Sequence, residues 1–376
     1  MPHNQPTRFA IAMSALAMTL AATSLHADSF TQTNLVSDIP NFAANTDPNL
    51  KNPWGVSFSG TSPFWTSDQA TGLATLYSAA GTPQSLVVTI PGGSTGPAGP
   101  TGTVFNSASA SFVLSNGTPA TFIFANLNGT ISGWNAGAGT TALVEATTAG
   151  AVYTGLAQFT PTGSGSPLLY AANSSAGRID VFNSSFAPTT LAGTFTDPNL
   201  PTGFVPFNIQ NIGGILYVTY EQPGMGGGVV DEFDTNGIFL KRVSANAAGG
   251  VLNAPWGVVI APSGFGSFSN DLLIGNFGNG EINAFDATTG MFLGTLDGTN
   301  GQPLMNDHLW ALETRNGVNG FNPDAVYFSA GINDEADGLF AEITEVPEPA
   351  TIFGTAFGLA GLALAGLRRK LQSLTV

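Results

Sequence analysis

Along most of the chain, apolar runs of about five residues alternate with polar, glycine-bearing turns, a spacing that predicts strands rather than helices. One unit recurs: a strand ending in Asp or Asn, a turn containing Gly, then a second strand ending in an aromatic residue. The paired strands fall at 64–68 and 72–77, 122–126 and 129–134, 169–173 and 177–182, 216–221 and 228–233, 273–276 and 280–285, and 326–330 and 338–340. The closing aromatics Tyr77, Trp134, Phe182, Phe233, Phe285 and Phe340 recur at roughly 50-residue intervals, the period of a four-stranded propeller blade. A further strand follows each of the first five copies, at 84–89, 141–144, 190–194, 239–243 and 292–296. The sixth copy lacks one, whereas a spare strand at 34–39 precedes the first. An open ring leaves unpaired sheet edges. The pattern therefore predicts an all-β, six-bladed β-propeller over residues 28–345, closed by the N-terminal strand pairing in the last blade.

Both ends read as addresses. Arg8 precedes an apolar stretch from Phe9 to Ala22, followed by small residues, which predicts a signal peptide over 1–27 with cleavage after Ala27. At the other end, Val346-Pro347-Glu348-Pro349 leads into an uncharged run over 350–367 and then Arg368, Arg369 and Lys370. At a rise of ~1.5 Å per residue that run just spans a hydrocarbon core as a C-terminal transmembrane helix. The basic cluster would stop it on the cytoplasmic side. Motif, span and basic end together, over 346–370, resemble the PEP-CTERM sorting signal of Gram-negative bacteria. That resemblance implies passage through the Sec export machinery, transient anchoring in the inner membrane, recognition by exosortase, and delivery to the envelope or extracellular space.

Composition narrows the chemistry. The chain carries 24 acidic residues against 9 basic ones, a net charge of −15, and loses Arg8, Arg368, Arg369 and Lys370 with its two ends. Nucleic-acid binding needs clustered Lys and Arg and is excluded. There is no cysteine and there are 3 histidines, of which His3 and His26 lie in the leader, so a zinc site of His and Cys is excluded too. His308 has no Gly-x-Ser-x-Gly elbow to serve, so no catalytic set is assigned. The glycine-rich turns at 92–96 and 224–228 lack the Lys of a phosphate cradle and read as loops.

The blades resemble NHL-type propeller repeats. The stretch 34–343 resembles more closely an uncharacterised family of secreted bacterial propellers. The segments that carry this likeness are 52–56 (Asn-Pro-Trp-Gly-Val), 129–134, 196–201, 206–213, 252–258 and 333–339. It implies the fold and the export and supplies no activity.

Blade geometry places the residues entering the six inner strands, Trp54, Thr101, Thr154, Phe207, Trp256 and Trp310, on one channel face. The residues ending the second strands, Asp68, Asn126, Asn173, Glu221, Asn276 and Asn333, share it. Aromatic rings beside amides and carboxylates suit a sugar, whose C–H face stacks while its hydroxyls hydrogen-bond. The expected ligand-binding set is Trp54, Asp68, Phe207, Glu221, Trp256, Asn276, Trp310 and Asn333. The alternative reading of these residues is packing between blades and capping of turns. Asp334, Glu335 and Asp337 offer oxygen ligands for Ca²⁺ or Mg²⁺, the alternative being a solvated turn.

The functional expectation is an exported, monomeric, non-catalytic surface or matrix module that binds polysaccharide or another envelope component. The competing expectation is a divalent-metal-dependent lactonase- or esterase-like hydrolase with its site in the channel.

Overall fold

The computed structural model describes residues 28–92, 98–160 and 165–347. They form six sheets, antiparallel except where the short strand Asn45–Thr46 runs parallel beside Ser29–Ser37. The innermost strand of each is, in order, Pro53–Ser57, Pro100–Phe105, Tyr153–Phe159, Val205–Ile212, Pro255–Ile260 and Leu309–Thr314. Each innermost strand touches the next and the sixth touches the first, so the sheets are the blades of a closed six-bladed ring. Second strands such as Phe64–Asp68 and Phe122–Asn126 are buried along their whole length, because neighbouring blades cover both faces. That is why neither shows the alternation of a half-exposed strand, and Phe122–Asn126 reads as a nearly continuous apolar run. Outer strands such as Phe292–Thr295 are partly exposed. Six apolar clusters fill the spaces between blades.

Closure follows the edge argument. Ser29–Ser37 pairs antiparallel with Leu339–Val346, from Ser29 opposite Val346 to Ser37 opposite Leu339, with a bulge between Asn34 and Val36. The closing strand thus starts five residues before the expected Asn34 and ends at Ser37. The Ser37 hydroxyl donates to the Gly338 carbonyl at 2.7 Å, and Gly338 N–H donates to the Asp38 carboxylate at 2.8 Å. Phe30 N–H donates to the Asp297 carbonyl at 2.8 Å, which ties the same strand to the fifth blade.

Two expectations are corrected. The third blade has three strands, because 190–194 does not pair with Arg178–Phe182. Pro188, which has no N–H to give, opposes Phe182, and the chain then leaves the blade. Gly193 and Phe195 N–H donate instead to the Asn236 and Gly237 carbonyls of the fourth blade, at 2.8 and 2.9 Å. In the sixth blade Phe340 lies near the start of its strand, opposite Ser329, rather than closing it. The other five aromatics do end their strands and are buried.

Among the described residues, helix is limited to three short 3-10 turns at 136–138, 266–268 and 318–320. No helix among them is long and apolar enough to cross a membrane. The expected signal peptide over 1–27, the span over 350–367, Glu348, Pro349, Arg368, Arg369 and Lys370 lie outside the described residues, as do residues 93–96 of one glycine-rich turn.

Candidate functional site at the axial channel

Each inner strand begins the same way. A residue with positive φ turns the chain inward before four of them: Asn52 (46°), Gly99 (112°), Ala254 (47°) and His308 (50°). A bulge follows near the start of all six, which re-aims the next side chains. Trp54, Phe207, Trp256 and Trp310 therefore converge, as expected. They meet one another. Trp54 stacks on Trp310 with centroids 3.6 Å apart, Phe207 lies 5.7 Å and Trp256 5.9 Å from Trp310, and Phe277 joins at 4.4 Å. All four expected aromatics are at most 7% exposed. The Trp310 indole donates to Asn52 Oδ1 at 2.9 Å and the Trp256 indole to the Thr154 carbonyl at 3.0 Å. The Thr101 hydroxyl donates to the Tyr153 carbonyl at 2.7 Å. This end of the channel is closed by a plug that offers no open ring face for a sugar.

The polar partners expected around it are turned elsewhere. Asp68 is fully buried and accepts from the Thr66 and Thr75 hydroxyls at 3.0 and 2.8 Å, and burial pushes its carboxyl well above the usual range. Asn173 and Asn276 accept from backbone N–H groups of the loops entering their own inner strands. Asn126, also buried, donates to the Pro91 carbonyl at 3.3 Å. Glu221 is half-buried and pushed up to about 7 by burial. Asn333 is exposed on a left-handed turn.

Nor do the acidic residues of that turn converge. Glu335 accepts from Asn52 at 3.0 Å, Asp337 from Lys51 and Asn333, and the fully exposed Asp334 lies 3.9 Å from His308. The three carboxylates serve three different neighbours, which is not a donor set for Ca²⁺ or Mg²⁺. Among the described residues, no three His, Asp or Glu side chains come together to hold a metal ion. His308 Nδ1 lies 2.9 Å from an Asp307 carboxylate oxygen without a hydrogen bond, and its ring packs 4.5 Å from that of Phe277.

Among the described residues, the opposite end of the channel is open. Directly beneath the plug, Gly55, Gly102 and Gly257 line a void of about 10 Å³, room for one water. Any Cβ there would come within 2.3–2.5 Å of the next strand's backbone. Beyond this neck the inner strands end around a polar cavity of about 230 Å³. Glu313, Gln210, Gln158, Asn211, Ser57 and Thr103 supply its polar wall, and Phe58, Phe105 and Leu156 its apolar one. The Gln210 amide donates to Glu313 Oε1 at 3.4 Å. Burial raises the Glu313 carboxyl to about 8, with the Gln210 hydrogen bond pulling the other way. Burial thus favours the protonated carboxyl, the form that donates a hydrogen bond.

None of these residues was singled out from the sequence. The signal was present, since each is a polar residue at the end of an otherwise apolar inner strand: Ser57 after Trp-Gly-Val, Gln158 after Leu-Ala, Gln210 after Asn-Ile and Glu313 after Trp-Ala-Leu.

With this geometry the chain can be placed among known proteins. Residues 345–370 match the PEP-CTERM protein-sorting motif, which implies export and association with the surface or envelope. In fold, the chain is similar to a structural genomics protein of unknown function from Bacteroides thetaiotaomicron, at TM-score 0.51 and 12% identity over 85% of this chain and 77% of that one. In sequence, it is 29% identical over 339 residues to Uncharacterized protein L690 of Acanthamoeba polyphaga mimivirus, covering 83% of this chain and 84% of that protein. Uncharacterized protein R648 of the same virus is 31% identical over 327 residues, covering 82% and 78%. Both relatives are viral, so the comparisons support the fold and the sorting tail rather than kinship with bacterial NHL-type propellers. On that extent and identity, the chain belongs to the family of the mimivirus protein R648.

Proposed function

We propose that the chain is an exported, surface-associated binding module that holds a neutral polysaccharide by one sugar unit in the polar mouth of its channel. The observation that carries this reading is the polar cavity of about 230 Å³ that Glu313 and Gln210 line at the ends of two inner strands. It is small beside the ~300–1,000 Å³ of drug-sized pockets, which suits a single ring rather than a long ligand. Amide, hydroxyl and carboxyl groups with a small apolar lining suit the hydroxyls and C–H edge of a sugar. The net charge of −15 disfavours an anionic polymer. Sorting follows the tail: the uncharged run 350–367 holds the chain in the inner membrane until exosortase acts on it. The domain works as a monomer, with Sec and exosortase as its export partners.

Retention of the secreted protein on immobilised neutral exopolysaccharide tests the site. Gln210→Ala and Glu313→Ala each remove a hydrogen bond of about 1–1.5 kcal/mol, so each is expected to weaken binding roughly tenfold. Trp54→Phe, in the plug, is expected to leave retention unchanged. The reverse pattern would move the site to the aromatic end.

A further inference from the structure

The hydrogen-bonding inventory of the open mouth is nearly used up by the protein itself. Ser57 and Thr103, both buried, bond each other at 3.1 Å. Gln158 donates to Asn106 at 3.1 Å and accepts from Ser107 N–H at 3.3 Å, so both ends of its amide are engaged. Asn211 likewise donates to the Gln158 carbonyl at 2.6 Å and accepts from Gly214 N–H at 3.0 Å. What remains is one couple. Gln210 spends one of its two amide N–H groups on Glu313 Oε1 at 3.4 Å, and its carbonyl oxygen and the second Glu313 oxygen make no other hydrogen bond among the described residues.

Resting on the reading of this mouth as the ligand site, we infer that the sugar unit it takes carries an acylamido group, as in an N-acetylated amino sugar. The amide carbonyl accepts from the Glu313 carboxyl, the amide N–H donates to the Gln210 carbonyl oxygen, and the acyl methyl takes the small apolar part of the lining, to which Phe58, Phe105 and Leu156 contribute. An amide presents an acceptor and a donor side by side, the complement of this couple, and its carbonyl is a stronger acceptor than a hydroxyl. A plain hydroxyl engages both groups only through a single oxygen.

The direction of titration agrees, since burial raises the Glu313 carboxyl to about 8 and so favours its donor form. Among the described residues, no other charged side chain lines the cavity. Arg315, two residues on, is held over the Phe58 and Phe321 rings, where it donates to the Ser59 and Ser62 carbonyls.

Titration calorimetry of the secreted protein against three trisaccharides decides the matter: β-1,4-linked N-acetylglucosamine, its deacetylated form and β-1,4-linked glucose. The acetylated sugar is expected to bind at least tenfold tighter than the other two, and to weaken as pH rises through 8. Glu313→Gln, which keeps a donor, is expected to hold affinity and lose that pH dependence, whereas Glu313→Ala loses tenfold or more. Equal affinity for the glucose trimer, with the same loss in Glu313→Ala, overturns the acylamido assignment and leaves the site standing. Binding that ignores Glu313→Ala and Gln210→Ala overturns the site, and absence of binding by all three sugars overturns both.

Discussion

Glu313 and Glu221 enter the folded state with carboxyls raised to about 8 and about 7 by burial, against 4.5 for the same group in water. In the unfolded chain both ionise near 4.5, so between that pH and the folded values the unfolded state has released protons that the folded state keeps. Stability is therefore fully present below about pH 4.5 and is lost as pH rises through 7 and 8. Buried Asp68, raised well above 3.8, acts in the same direction. The midpoint of thermal unfolding is expected to be lower at pH 8.5 than at pH 5.5. Glu313→Gln is expected to shrink that difference, because an amide does not titrate. A midpoint that rises with pH in the wild type would show that the carboxyls ionise freely in the fold.

At the scale of an element, the inner strand is a compromise between a side chain that reaches the axis and a backbone that lets the next blade approach. The axial residue is followed by Gly55, Gly102, Gly155 and Gly257 in four blades and by Asn208 and Ala311 in the other two. A Cβ on Gly102 would lie 2.3 Å from Leu156 N and 2.7 Å from Leu156 Cβ, so the second and third blades must part to admit it. Overpacking of this kind costs about 1–3 kcal/mol. Gly102→Ala is expected to show that loss in chemical denaturation, and Gly60→Ala, at an exposed loop glycine with open space around it and no positive φ, a much smaller one. Asn208 shows what tolerance requires, since its amide replaces close contact with a hydrogen bond to the Trp256 carbonyl at 2.9 Å. The strands themselves were legible from apolar runs and turn glycines. The missing outer strand of the third blade was not, because 190–194 has a strand-like sequence and is diverted by bonds to the fourth blade's hairpin.

For the whole molecule, the decisive contact joins residues some three hundred positions apart. Val36, fully buried opposite Phe340, sits where the first strand meets the last. A buried, unpaired carboxylate there removes the reason for the strand to stay, and its departure uncovers two sheet edges. Val36→Asp is expected to lower the unfolding midpoint sharply and to promote association, read by calorimetry and light scattering. Thr31→Asp, exposed on the same strand, should change stability by no more than about 0.5 kcal/mol. Equal effects of the two would mean that the ring does not depend on this closure.

Blade number, the closing strand and the sorting tail were set by sequence alone, because each rests on short-range pattern or on counting strands against edges. Which end of the channel is open was a tertiary decision. Trp54, Phe207, Trp256 and Trp310 read as a sugar platform while each was considered in its own blade. Only their arrival at one axis, with centroids as close as 3.6 Å, shows that their combined volume fills the space. The same convergence leaves the far end to smaller and polar side chains, and there the strands part around Glu313 and Gln210. Linear order carries no record of how much room six strands leave between them.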